Sequence, residues 1–260
     1  MEEFEFIDKL LKPLSRSKNS KKNSPNPSLN LESDVAIIKG NNTKNFVVSK
    51  DIIVENIHFI KEDGATKIAA KLLLSNLSDI AAAGAKPRYY MLGFSKNHLI
   101  DKNFYQEFVE SLKAIQEKYN IILIGGDTVN SPHLFFSVTI FGEIEKNQKI
   151  LQRSAAQKND LIFVTNYIGD AFIGLNLKLK QLHSQKKITV LKWHQELINK
   201  HYFPQPRIEF AYELTRNKIA KCATDISDGL IADLANICNA SKLDAQIFLS
   251  AIPISEAAQK

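Results

Sequence analysis

Apolar residues recur along this chain with two periods, and the switching between them predicts alternating helices and strands. The clearest helical stretch is 72–87, LLLSNLSDIAAAGAKP. Leu72, Leu73, Leu77 and Ile80, with Ala81 to Ala83, supply an apolar surface, and Gly84 with Pro87 reads as a helix stop. Asn76 and Asp79 are three apart and share a face one turn apart, beside Ser75. A carboxylate among so many apolar neighbours is costly unless it is paired, hydrogen-bonded or bound to a cation. The plainer reading is a solvated stripe on an amphipathic helix.

Ahead of that helix, 4–14 reads as a short helix and 15–30 as a polar loop. Residues 35–38 and 46–48 read as strands joined by a turn over 39–45, and 52–59 as strand or loop. A strand over 89–94 follows, then a helix over 104–119 that buries Phe104, Phe108, Leu112 and Ile115. Next come a buried strand over 121–124, ending in Gly125-Gly126-Asp127-Thr128, and a strand over 135–142. A second unit starts near Leu151, which divides the chain into 1–150 and 151–260. It carries strands at 161–165 and 245–249, and helices over 169–179, 189–201, 207–216 and from Ser227-Asp228-Gly229 to about 240. No internal repeat is visible. The alternation predicts an α/β or α+β class, with mixed sheets and flanking helices.

Composition adds limits. The chain has 260 residues, enough for a sizeable core, and its aromatic and charged fractions are those of a globular protein. The apolar run over 68–85 is interrupted by Lys71 and Asp79, so no membrane span is expected. The acidic, amphipathic start MEEFEFIDKLLKPL lacks the features of a signal peptide. Cys222 and Cys238 show no metal spacing and no disulfide framework, which predicts a cytoplasmic location. A net charge of +6 raises nucleic acid as a partner, but the basic residues are mainly scattered lysines and only five are arginines. Neither nucleic acid nor membrane is the expected partner.

Aspartates in small-residue contexts form a series: Asp34, Asp51, Asp79, Asp127, Asp170, Asp225 and Asp228. Each alone could be a turn or cap residue, as Asp228 could be for the helix that follows it. Capping does not account for Asp225 three residues earlier. Asp225, Ser227 and Asp228 make an oxygen-rich cluster suited to Mg²⁺, which prefers carboxylates and is completed by substrate phosphates. Phosphate-loop, dinucleotide-loop, zinc-protease and nucleophile-elbow motifs are all missing, and the histidines are isolated. Aspartates and magnesium without histidine suit phosphoryl transfer.

The chain carries, in order, the motifs EFEFIDKLL, SDVAII, SKDIIVENIHF, NLSDIAAAGAKPR, LIGGDTVNSP, LQRSAAQKNDLIFVT, IGDAFIGL, FPQPR and TDISDGLIADL. Together they resemble the thiamine-monophosphate kinases, within the superfamily of aminoimidazole ribonucleotide synthetase and selenophosphate synthetase. The resemblance implies a two-domain fold, a homodimer paired through the sheets of its N-terminal domains, and transfer of the ATP γ-phosphoryl group to thiamine monophosphate. By motif position it implies metal ligands at Asp34, Ser49, Asp51, Asp79, Asp127, Asp225 and Asp228. It implies ATP contacts at Gly126, Asp127, Arg153 and Ser227, and a thiamine monophosphate contact at His58. No general base is implied beyond these, because the acceptor is already an anionic phosphate; several Mg²⁺ ions are implied.

Departures from the family pattern keep other readings open. The Gly-x-Gly-Asp-Asp segment is here Asn30-Leu31-Glu32-Ser33-Asp34, and Lys50 stands between Ser49 and Asp51 where threonine is usual. Asn166 and Phe203 replace a glycine and an arginine, and the chain stops before a Gly-Gly-Glu-Asp-Tyr-type segment, so the second domain reads as incomplete. The alternatives are a degenerate relative that binds MgATP or a phosphate ligand without turnover, and another ATP-using member of the superfamily.

Overall fold

A computed structural model describes residues 33, 35–38, 40, 43–183 and 191–260 of the chain. The helix at 4–14, the loop at 15–30 and Asp34 lie outside the described residues. In order, the elements are β1 Ala36–Ile38, β2 Lys44–Val54, α1 Ala65–Ala82, β3 Lys86–Lys96, α2 Lys102–Tyr119, β4 Ile122–Asn130 and β5 Phe135–Glu145. The helices α3 Asp170–His183, α4 Lys192–Tyr202, α5 Ile208–Arg216 and α6 Leu230–Ser241 follow.

The five strands form one sheet in the order β1-β2-β5-β3-β4. All neighbours pair antiparallel except β3 and β4, which are parallel and joined through α2. One face of the sheet is covered by α1 and α2. On β5, Phe136, Val138, Ile140 and Ile144 are buried in alternation, as a half-covered sheet requires. Phe136 lies at the centre, with ring centroids 4.5 Å from Phe108 of α2, 4.9 Å from Phe94 of β3 and 5.8 Å from Phe59. Such buried rings each contribute about 1.5–3 kcal/mol of apolar transfer.

Helix α1 is the central element. Twelve of its eighteen residues are buried, so it packs on the sheet, on α2 and on helices α4 and α5 of the second unit. Its stop is tertiary as well as local. Gly84 has φ +69°, and a Cβ there would come within 2.2 Å of Thr215 Cγ2 on α5. Thr215 Oγ1 donates to the Gly84 carbonyl at 3.0 Å, and Leu151 N–H donates to Ala83 O at 3.1 Å.

Three expectations change. The strand at 121–124 was expected to be buried and to end at Gly125; instead β4 runs through Gly125-Gly126-Asp127-Thr128 to Asn130, and all nine residues are exposed. It is an edge strand on which no described helix packs extensively. The stretches 161–165 and 245–249 are not strands: neither has a ladder partner, and the second leads into a 3₁₀ turn at Leu249–Ala251. Apolar and β-branched residues supply the tendency to extend but not the partner a strand needs. Among the described residues the second unit is therefore helical, and the expected mixed sheets reduce to one. No described helix is long and apolar enough to cross a membrane.

Candidate functional site

Side chains alternate along β2. Val47, Ser49 and Ile53 point under the helices, while Lys50 and Ile52 lie on the open face. Ser49 is buried, and its Oγ donates to Asp79 Oδ2 at 2.6 Å, which ties β2 to α1. Asp79 is thus a hydrogen-bonded, half-buried carboxylate, not a solvated stripe. Asn76 turns deeper into the helix: it is fully buried and its Nδ2 donates to Leu72 O at 2.8 Å.

Asp51 follows on the same face of β2 as Ser49. Burial pushes its carboxyl above the ordinary carboxylate range, the negative charge of Asp225 raises it further, and His58 draws it back. Asp51 therefore senses a carboxylate from the second unit and an imidazole from the turn after β2. That turn is closed by Asn56 with φ +64° and by the His58 N–H, which donates to Val54 O at 2.9 Å. Val54 N–H donates back to His58 Nδ1 at 3.1 Å, so the neutral ring carries its proton on Nε2.

Asp225 lies in the loop before α6, and Arg153 holds that loop. Arg153 Nε donates to Thr224 Oγ1 at 3.2 Å, while the Arg153 carbonyl accepts from Ser241 Oγ at 2.7 Å. Asp228 does not cap α6; Gly229 occupies the N-cap without a side-chain bond. Asp233, a residue that motif reading missed, organises the turn instead. Buried, its Oδ2 accepts the N–H groups of Ser227, Asp228 and Gly229 at 3.0, 3.2 and 3.1 Å. Its signal in the sequence was an acidic residue in the first helical turn. Ser227 and Asp228 are left exposed on the loop.

Gly126 and Asp127 stand apart from this group. They lie on β4, three strands from β2 in the sheet order. Asp127 Oδ1 accepts from Thr128 N–H at 2.8 Å. A Cβ on Gly126 would come within 1.9 Å of Leu92 O, so glycine is needed for β4 to lie against β3. Asp170 also separates from the series: it starts α3, is buried, and accepts from Ser255 Oγ at 2.6 Å, a structural anchor. Lys50 points away from Asp51, with Nζ 3.3 Å from Ser137 Oγ and 3.4 Å from Thr139 Oγ1 on the open face.

Among the described residues no three acidic, histidine or cysteine side chains converge tightly enough to hold a metal ion by themselves. The donor set nevertheless suits a hard cation that retains waters and takes ligand oxygens. Ser49, Asp79, Asp51 and Asp225 supply oxygens from three parts of the fold, and a cation would offset both the burial and the Asp225 charge that raise the Asp51 carboxyl.

Comparison with known proteins gives consistent matches. The N-terminal domain of AIR synthase related protein matches residues 32–144, and its C-terminal domain matches residues 157–260. The thiamine-monophosphate kinase of Buchnera aphidicola subsp. Schizaphis graminum is 39% identical over 254 residues, covering 98% of this chain and 74% of that protein. That of Haemophilus influenzae is 35% identical over 227 residues, covering 87% and 66%. A solved structure of AaThiL complexed with AMPPCP and TMP superposes with TM-score 0.84 at 25% identity, over 98% of this chain and 75% of that one.

Proposed function

Because the chain belongs to the thiamine-monophosphate kinase family, within the AIR synthase related proteins, we propose that it phosphorylates thiamine monophosphate with ATP, giving thiamine diphosphate. The observation that carries the residue-level reading is the buried Ser49 Oγ–Asp79 Oδ2 bond at 2.6 Å between β2 and α1, with Asp51 two residues on along β2 and near enough to Asp225 to feel its charge. A polyanionic nucleotide and a phosphate acceptor need positive charge between them, and scattered oxygen ligands are how an all-protein scaffold holds it. Asp34, Ser49, Asp51, Asp79, Asp127, Asp225 and Asp228 are the ligands we propose for Mg²⁺. When bound, the ions supply charge neutralisation and orientation for the two phosphates.

The chain's own groups do the rest. Arg153, Ser227 and Gly126, with Asp127, are proposed to contact ATP; the five-donor guanidinium suits a phosphate. His58, an exposed residue whose Nδ1 accepts from Val54 N–H and leaves the proton on Nε2, is proposed to donate to the phosphate of thiamine monophosphate. In the transfer, the bond between the γ-phosphorus and the leaving oxygen of ADP breaks as a bond to an oxygen of the acceptor phosphate forms. The attacking oxygen is already anionic, so no side chain needs to remove a proton.

We further propose a homodimer through the open face of the sheet and a cytoplasmic location. Ile38, Phe46, Tyr89, Ile124 and Phe141 line an apolar depression of about 270 Å³ on that face, and Ile52 and Met91 are exposed. Gly126 and Asp127, on the outermost strand, would then act at the boundary with the second copy. The division into an N-terminal ATP- and Mg²⁺-binding unit over 1–150 and a C-terminal unit over 151–260 is part of the same proposal. The test is ADP release coupled to thiamine monophosphate, in Mg²⁺. We expect turnover that Asp79→Asn lowers by about a thousandfold with the fold retained. Undiminished turnover in Asp79→Asn would refute the ligand assignment, and no turnover in the unaltered protein would refute the kinase reading.

A further inference from the structure

Two turns before Asp79 on α1, Lys71 has a role that the site described above does not use. It is half-buried, and its Nζ donates to the His58 backbone carbonyl at 3.0 Å. The same Nζ lies 3.4 Å from His201 Nε2 on α4. Burial holds the Lys71 ammonium below its ordinary pKa, and the charge of Lys178 adds to this, against a smaller opposing effect from Asp63. His201 is pushed down to about 4 by burial first and then by Lys71 and Lys178. At neutral pH the imidazole is therefore uncharged and can accept from the ammonium.

The surroundings make this junction firm. Next to His201, Tyr202 OH donates to Asp63 Oδ1 at 2.6 Å, and Asp63 is buried in a salt bridge with Lys178 of α3. Asp63 also accepts from Ile60 N–H at 3.0 Å, just past the His58 turn. The turn thus leaves β2 at Val54, closes on itself, and is tied to α1 through Lys71. Along α1, Lys71 and Asp79 are eight residues apart, a separation of about 12 Å on a rigid buried rod.

From this geometry we infer that Lys71 is a positioning residue: it clamps the carbonyl of the His58 turn, and so fixes the imidazole relative to the Asp79 cluster for the phosphate of the acceptor. The inference rests on the reading of His58 given above. It adds that the second unit, through His201, takes part in setting the acceptor position. Lys71 itself touches no proposed ligand position; it acts through His58.

The test separates the two readings. Lys71→Met keeps the stem and removes the donor. We expect the Michaelis constant for thiamine monophosphate to rise about tenfold, as the loss of one charge-assisted hydrogen bond would give, with that for ATP and the turnover number changed by less than about threefold. In a His58→Ala background the same change should add less than about twofold, because the residue it acts through is gone. Lys71→Arg, which keeps a donor, should recover most of the loss. An equal effect in both backgrounds, or a fall in turnover with both Michaelis constants unmoved, overturns the inference. Amide exchange of segment 54–60 decides it without any activity. Faster exchange there in Lys71→Met, with α1 unchanged, supports the clamp; unchanged exchange overturns it, whether or not the protein proves to be a kinase.

Discussion

His201 has an ordinary residue's sequence signature and an unusual place. Its folded pKa of about 4 lies below the unfolded value of 6.5. Above pH 6.5 both states are neutral there and the group is silent. As pH falls from 6.5 toward 4 the unfolded chain gains a proton that the folded one resists, so stability drops. Asp63 adds to this at the acid end. Burial pushes its carboxyl up, but bonds from Lys178, Tyr202 and Ile60 outweigh that and leave it below 3.8, so its contribution is lost as pH falls through that lower value. We expect thermal unfolding to shift downward between pH 7.5 and pH 5, and His201→Gln to reduce the shift; an identical shift in the variant would show that His201 is not its source. At this scale the sequence identified candidate ligands one by one, since Ser49, Asp51, Asp79 and Asp225 sit in recognisable motifs. It did not single out Asp233, whose bonds are to the backbone of the turn just ahead of its helix, or Lys71, whose bond is to a backbone carbonyl thirteen residues away. Strand alternation alone sufficed to turn Lys50 away from Asp51.

Elements show the same division. The periodicity of α1 and α2 located both helices, because an apolar stripe at helical spacing has one stable way to be buried. The end of α1 was legible from Gly84, but the reason it must be glycine is tertiary. Gly84 and Gly64 both have positive φ, at +69° and +82°, yet only at Gly84 does an added Cβ meet a neighbour, Thr215, while at Gly64 nothing lies within 4 Å. We therefore expect Gly64→Ala to cost about 1 kcal/mol from backbone strain alone, and Gly84→Ala to cost at least about 2–3 kcal/mol because α5 must also move. Denaturant midpoints of the two variants measure the difference, and equal costs would mean that α5 yields freely. The extended runs at 161–165 and 245–249 mark the opposite case. Their composition favours strand, but pairing is a property of two segments, and neither has a partner among the described residues.

Among the described residues, α1 lies between the sheet and helices α4 and α5, and no described element covers the sheet's other face. Exposed Ile38, Ile52, Met91 and Ile124 on or beside that face form a patch of the kind that proteins cover by association. We expect the protein to sediment as a dimer, and Ile124→Lys to shift it toward monomer by placing a charge in the apolar depression; a variant that sediments unchanged would move the interface elsewhere. The sequence by itself determined the mixed α/β class and the described helices, which follow from local periodicity, and the family, which follows from the resemblance of its ordered motifs. Only the tertiary structure decided that β4 is an exposed edge, that Asp51 feels the charge of Asp225 while Gly126 and Asp127 stand three strands away, and that the Asp79 helix also holds the His58 turn through Lys71. Those are facts about which distant segments become neighbours, and burial, charge and hydrogen bonding act between neighbours in space.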